Sequence, residues 1–271
     1  MTQLMPRDIE FIFAFLIGIC IGSFLNVVII RLPRGRSLVQ PSSRCGVCRS
    51  SIPRWMNLPL VSFVLSGGSC FKCGAPFSAR YFWVELLSGV LAMASLSLYG
   101  FTITALIVFA FVAVLIALSF IDFDFRIIPD ELSLGSWAVV LILVLAGFHK
   151  PEFIYPEAFL KMQFGLGAFW QSLIASLIGY GLFWVMSRLF YFIRKEEGLG
   201  GGDIKLMGLV GAMLGLEGII ICVLVGSLLG ATYGGSRILF ARGTRHTAIP
   251  FGPFLAFGAL VSVLHLDRWF W

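Results

Sequence analysis

Long apolar stretches dominate this chain and restrict it to architectures that are stable in a lipid bilayer. Only 13% of its 271 residues are charged, whereas about 25% are charged in ordinary soluble domains. Runs of about 20 apolar residues are long enough to cross the hydrocarbon core as α-helices. A helix satisfies its backbone hydrogen bonds internally, as the bilayer interior requires. The sequence therefore predicts an all-α polytopic membrane protein.

Eight charge-poor segments are candidate spans, and we predict about eight transmembrane helices from them. The sixth segment is too short to cross alone, so we expect it to be tilted, kinked or re-entrant. Glycine pairs spaced for close helix packing, such as Gly18 and Gly22, occur in several spans. Because the chain has 30 glycines, such spacings also arise by chance. The segments are 11–30, 82–99, 102–121, 132–148, 166–187, 205–216, 218–240 and 249–266.

Basic residues predict the orientation of these helices. Residues 31–80 contain eight Lys or Arg and no acidic residue, and the positive-inside rule places such a loop in the cytoplasm. Alternation of eight spans then places 122–131, 188–205 and 237–246 on the same side. The basic residues left for the opposite side are Arg7, Lys150, Lys161 and Arg268. The net charge of +6 is thus a topology signal that requires no nucleic-acid partner, and the basic loop is expected to favour anionic membrane lipids.

Two aspartates lie where apolar stretches meet polar segments, and both face the predicted cytoplasmic side. Asp122 ends one span, and Asp203 follows Gly200–Gly202 just before another. A carboxylate at a membrane boundary costs free energy and is by default a functional hypothesis. Two carboxylates that meet in the fold are the machinery of an aspartic protease. On the residues alone, Asp124 and Asp130 remain alternatives, and helix capping would also account for Asp130 or Asp203.

The predicted cytoplasmic loop, residues 31–80, contains two C-x-x-C motifs separated by 21 residues. Four thiolates at such a spacing suit a tetrahedral zinc site. A cytoplasmic location disfavours structural disulfides, and a short loop without a large core is commonly stabilised by a metal. A redox dithiol pair is the alternative function. The predicted zinc ligands are Cys45, Cys48, Cys70 and Cys73, whereas Cys20 and Cys222 are expected to be buried small hydrophobes within spans.

These motifs, with the run Gly22–Pro33 and the block Tyr81–Gly89, resemble the type IV prepilin peptidases, membrane aspartic proteases of the GxGD type. The resemblance covers nearly the whole chain and implies a multi-pass enzyme of the bacterial inner membrane, with its active site facing the cytoplasm. Such enzymes cleave the basic leader of prepilins or pseudopilins in type IV pilus or type II secretion systems. By this resemblance, Asp122 and Asp203 correspond to the catalytic pair.

The resemblance also implies a second activity, N-methylation of the new N-terminal residue by S-adenosylmethionine. We expect residues 1–100, with the four-cysteine loop at 31–80, to be the methyltransferase-associated region and residues 101–271 to be the peptidase domain. Arg44 and Glu85 accompany the cysteines, as the resemblance leads us to expect. A loop of about 50 residues leaves no room for the usual glycine-rich cofactor fold, so no methyltransferase catalytic residue is assigned.

Two other classes of function compete with this interpretation. A proton-coupled secondary transporter would use boundary carboxylates, but it would favour carboxylates near the bilayer midplane and leaves the cysteines unexplained. A metal-dependent membrane scaffold would explain the cysteines and not the aspartates. The combination of both motifs favours a membrane aspartic endopeptidase, and the resemblance to the type IV prepilin peptidases implies an added methyltransferase activity.

Overall fold

The computed structural model describes residues 7–53, 58–148, 167–195, 199–240 and 250–264. Within these ranges the chain is helical and has no strands, apart from two isolated β-bridges. The predicted all-α class is therefore confirmed. The helices are α1 (Arg7–Arg31), α2 (Val61–Leu65), α3 (Arg80–Tyr99), α4 (Ile103–Phe125), α5 (Asp130–Leu145), α6 (Ala168–Arg194), α7 (Gly201–Phe240) and α8 (Gly252–Val263), and a 3-10 turn at Leu32–Arg34 follows α1.

Five helices in the described ranges are long and apolar enough to cross a membrane: Arg7–Arg34, Arg80–Tyr99, Ile103–Phe125, Ala168–Arg194 and Gly201–Arg237. The predicted spans 132–148 and 249–266 correspond to α5 and α8. Their described helices have 16 and 12 residues, fewer than the roughly 20 that a crossing needs. The count of eight transmembrane helices therefore stays a prediction.

A single residue, Gly215, interrupts α7 two residues before the predicted boundary between spans 205–216 and 218–240. Its φ of 71° and ψ of −164° are not helical, and glycine adopts them without the steric penalty of a Cβ. The short sixth segment is thus the first arm of a kinked helix.

The contacts divide the chain into two compact units, Met1–Ala117 and Leu118–Trp271. The division falls within α4. The four-cysteine loop belongs to the first unit, whereas Asp122 and Asp203 belong to the second.

In the first unit, α1 packs against α3 through its glycines. A Cβ built on Gly18 would lie 2.7 Å from the Cβ of Ala92, and one on Gly22 would lie 2.7 Å from the Cα of Glu85. The two backbones can approach this closely because neither glycine has a side chain. The short spacing between these glycines thus marks a real helix contact.

The second unit is built around α7, which packs against α5, α6 and α8. Gly208 accommodates the ring of Trp137 from α5, since a Cβ there would lie 2.7 Å from a ring carbon. A Cβ on Gly211 would lie 2.5 Å from the carbonyl oxygen of Ala175 in α6. One on Gly258 in α8 would lie 2.6 Å from a carbonyl oxygen of α7. Small residues therefore set the helix spacing here too.

We expect Gly18→Ala to destabilise the first unit, because the added methyl group overlaps α3. Overpacking of this kind costs about 1–3 kcal/mol. Gly135→Ala is the matched control, since a Cβ there would meet nothing within 4 Å. Thermal unfolding of the detergent-solubilised protein measures both. Equal melting temperatures for the two variants would contradict the close α1–α3 contact.

Candidate functional site

Two buried carboxylates lie together in the second unit. Asp122 is in the last turn of α4, and Asp203 is in the first turn of α7. Each is only 7% exposed, and the two are close enough for their charges to repel one another. The structure thus places at one site the two aspartates that the sequence singled out.

The first turn of α8 holds Asp122 in place. Gly252, the first residue of that helix, donates its backbone N–H to Oδ2 of Asp122 over 3.0 Å. A Cβ on Gly252 would lie only 2.7 Å from the same oxygen, so the contact depends on glycine. Amides at a helix N-terminus favour a negative charge through the helix dipole. Sequence reasoning missed Gly252, since the sequence gives no sign that it contacts Asp122.

Ile128, in the loop after α4, joins the three chain segments of the site. A Cβ on Gly202 would lie 2.5 Å from the Cβ of Ile128. A Cβ on Gly252 would lie 3.3 Å from the Cδ1 of the same isoleucine. Ile128 therefore contacts the backbone just before Asp203 and the backbone that binds Asp122. This packing brings the two carboxylates together from different helices.

The other two candidate aspartates differ from this pair. Asp124 is exposed. Asp130 begins α5, and its Oδ1 accepts an ion-paired hydrogen bond from Nζ of Lys205 at 2.5 Å. Asp130 is 60% exposed, so neither residue shares the burial of Asp122 and Asp203. The ion pair links the starts of α5 and α7, and sequence reasoning did not identify it.

The two C-x-x-C motifs form matching turns in the first unit. In the first turn, the N–H of Arg49 donates to the carbonyl of Cys45, and the N–H of Cys45 donates to the carbonyl of Ser50. An isolated β-bridge joins Arg44 to Ser51. The second turn repeats this pattern. The N–H of Gly74 donates to the carbonyl of Cys70, the N–H of Cys70 donates to the carbonyl of Ala75, and a β-bridge joins Ser69 to Pro76. In each turn the residue after the second cysteine, Arg49 or Gly74, has a positive φ.

These turns bring the four sulfur atoms into one cluster. All four lie within 4.8 Å of one another, with Cys45 Sγ 3.8 Å from Cys73 Sγ and Cys48 Sγ 3.9 Å from Cys70 Sγ. Four sulfurs at about 2.3 Å from a tetrahedral zinc ion are about 3.8 Å apart. The cluster is therefore of the right size to hold a metal ion of this kind.

The pKa values of the clustered thiols show that their negative charges interact strongly, which favours a bound cation. Hydrogen bonds from the hydroxyl and amide of Ser50 lower the pKa of Cys48 to about 6. Although the amide of Ala75 favours the Cys73 thiolate, burial and the neighbouring thiols raise the pKa of Cys73 to about 11. Four thiolates cannot share this small volume without a positive charge, and a metal ion supplies one.

The remaining cysteines behave differently from one another. Cys222 is fully buried in α7, as the sequence predicts. The expectation for Cys20 was wrong, because this residue is exposed. Helix α1 turns Gly18 and Gly22 toward α3, so the residue between them points away from that contact.

Two protein families match the chain in succession. The bacterial peptidase A24 N-terminal domain matches residues 16–99. The type IV leader peptidase family matches residues 109–235. The first match includes the four cysteines, and the second includes both buried aspartates.

Curated relatives are similar along most of their length. A protein of Burkholderia pseudomallei strain 1026b is 31% identical over 96% of this chain and 86% of its own. A protein of Aeromonas hydrophila is 35% identical over 96% of this chain and 93% of its own. A protein of Legionella pneumophila is 30% identical over 93% of this chain and 90% of its own. All three are named prepilin leader peptidase/N-methyltransferase. No solved structure matches significantly.

We expect the purified chain to bind about one thiophilic metal ion through the four-cysteine cluster. Cys70→Ser should lower the metal content severalfold, whereas Cys20→Ser, at an exposed position on α1, should leave it unchanged. Bound metal should be released as the pH falls, because protons compete for the thiolates. Elemental analysis of the dialysed proteins measures this. An undiminished metal content in Cys70→Ser would rule out the cluster as the site.

Proposed function

The chain belongs to the type IV leader peptidase family, and from this premise we propose that it is a bifunctional membrane enzyme. It cleaves the leader peptide of type IV prepilins or pseudopilins and then N-methylates the new N-terminal residue. One observation carries the proposal for cleavage. Two buried carboxylates, Asp122 and Asp203, come from the ends of two long apolar helices and share one site.

In the cleavage step, Asp122 and Asp203 act as the catalytic pair. Two adjacent carboxylates that repel one another share a proton. The ionised carboxylate takes a proton from a water molecule, which attacks the scissile carbonyl carbon. The protonated carboxyl donates a hydrogen bond to the carbonyl oxygen. When the C–N bond breaks, the proton that the other carboxylate took from water passes to the leaving amine, which restores the shared proton of the pair. The pair titrates as a unit, so these roles belong to the pair.

The surrounding residues orient this pair. The N–H of Gly252 fixes Oδ2 of Asp122, and Ile128 keeps the start of α7 beside it. Such fixed geometry contributes to catalysis because the reacting groups need no rearrangement. We propose that residues 101–271 form the peptidase domain, which includes all of these groups.

We place the catalytic pair at the cytoplasmic face of the bacterial inner membrane. The basic segment 31–80 supports this orientation through the positive-inside rule. Asp122 ends an apolar helix and Asp203 begins another, so both occupy helix ends, at the membrane boundary. The basic segment would contact anionic membrane lipids at the same face.

For methylation, we propose that residues 1–100 are the responsible region. Cys45, Cys48, Cys70 and Cys73 would hold a structural zinc ion that folds the loop around them. We propose S-adenosylmethionine as the methyl donor, since the relatives are named N-methyltransferases. Because the described residues of this region form helices and two cysteine turns, no strand-based cofactor fold is expected to hold it.

Replacement of either aspartate should abolish leader cleavage. Asp122→Asn and Asp203→Asn each remove one partner of the proton exchange, so we expect a loss of roughly 10²–10⁴-fold in the cleavage rate. Asp124→Asn is the matched control, being an exposed aspartate two residues from Asp122, and should stay within about twofold of the parent. Purified protein and a prepilin substrate in detergent give the rates. Normal cleavage by either buried variant would refute the assignment.

Loss of the metal cluster should separate the two activities. The double variant Cys45→Ser, Cys70→Ser removes one ligand from each turn, so we expect methyl transfer to fall at least tenfold while cleavage is retained. Incorporation of labelled methyl groups and leader release are measured in the same reaction. Methyl transfer at the parent rate would show that the cluster does not support this activity.

A further inference from the structure

Glu85 is a buried carboxylate in the first unit that leader cleavage does not use. It lies in α3, is 7% exposed and faces α1 at Gly22. Its carboxylate accepts a hydrogen bond from the hydroxyl of Ser23 in α1. It also accepts the backbone N–H of Leu60, in the loop before α2, over 2.7 Å. One side chain therefore ties together α1, α3 and the four-cysteine loop.

Leu60 occupies the centre of a very tight turn. The N–H of Val61 bonds to the carbonyl of Pro59 over 2.6 Å, and Leu60 has φ 61° and ψ −49°. This is a γ-turn of the rare, strained hand. A residue with a Cβ keeps such a conformation only where its surroundings hold it. A buried carboxyl group is stable only with hydrogen-bond partners, so Glu85 and the Leu60 N–H hold one another in place.

The turn directs the chain into α2 and the second cysteine turn. Phe63 in α2 packs against Phe82 of α3 with ring centroids 5.7 Å apart. The N–H of Gly68 then bonds to the carbonyl of Phe63 over 2.8 Å. Cys70 follows two residues later. This short, hydrogen-bonded path thus determines where the second cysteine turn begins relative to α3, while the turn itself is closed by its own hydrogen bonds.

We propose that Glu85 is a positioning residue for methyl transfer, which holds the γ-turn at Leu60 and so seats the four-cysteine loop on the α1–α3 pair. The inference rests on the proposed methyltransferase function. Glu85 acts through the loop, because its carboxylate contacts the protein's own backbone. None of the four thiols takes part in this hydrogen bond, and Asp122 and Asp203 belong to the second unit, so metal content and leader cleavage should not depend on it.

The variants Glu85→Ala and Glu85→Gln test this role. We expect Glu85→Ala to reduce the kcat of methyl transfer about tenfold or more, because the Leu60 N–H loses its acceptor and the turn is no longer held. Metal content and cleavage should remain within about twofold of the parent. Glu85→Gln keeps a carbonyl acceptor for the Leu60 N–H and should retain more methyl transfer. Loss of metal and cleavage together with methyl transfer would instead show a general folding role and overturn the proposal.

A second substitution separates positioning from simple packing. Glycine adopts the positive φ of the turn freely, so Leu60→Gly added to Glu85→Ala should restore part of the lost methyl transfer. Ser88→Ala is the matched control, one turn along α3, because Ser88 is fully buried and its hydroxyl has no hydrogen-bond partner. It should leave methyl transfer unchanged. A loss in Ser88→Ala equal to that in Glu85→Ala, or no recovery in the double variant, would refute the role.

Amide hydrogen exchange gives a readout that does not require methyl transfer. Exchange in residues 58–66 should accelerate in Glu85→Ala and remain at the parent rate in Ser88→Ala. If the parent shows no methyl transfer while Glu85→Ala shows this acceleration, the methyltransferase function fails and the contact stands. Unchanged exchange in Glu85→Ala would overturn the positioning role itself.

Discussion

Close contact between helix backbones at small residues is the constraint on which both units of this protein depend. Lipid tails are as apolar as leucine, so helices in a bilayer associate through close packing more than through exclusion of water. Gly18 serves this purpose in the first unit, and Gly211 does so in the second. Glycines also permit close contact in the candidate catalytic site, where Ile128 packs against the backbone at Gly202 and Gly252. The carboxylate pair is therefore assembled by the contacts that also hold the helices together.

Buried acids are supported in the same way in both units. Asp122 accepts the N–H of Gly252 at a helix start, and Glu85 accepts the N–H of Leu60 at a strained turn. A carboxylate in an apolar environment is stable only with such partners, and the partner's backbone is fixed in return. The four-cysteine loop is stabilised differently, because it has little hydrophobic core of its own. Clustered thiolates that can hold a metal ion take the place of apolar packing.

The elements that could be predicted from sequence are those with a strong local signal. The apolar segments 82–99 and 102–121 correspond closely to α3 and α4, because the length of an apolar run largely determines a membrane helix. The cysteine cluster was predictable because thiolate spacing reflects coordination geometry. The kink at Gly215 was one of three expectations for the short sixth segment, since its length is also compatible with tilt or re-entry. The exposure of Cys20 depended on which face of α1 meets α3.

By itself, the sequence determined the class of protein, the approximate extent of the long apolar helices and the types of chemistry available. These follow from hydropathy, charge and motif spacing, all of which act locally along the chain. Only the tertiary structure decided that Gly252 binds Asp122, that Lys205 pairs with Asp130 and that Glu85 holds Leu60. Each of these contacts joins residues 25 to 130 positions apart. They depend on how helices pack, which no local pattern in the sequence specifies.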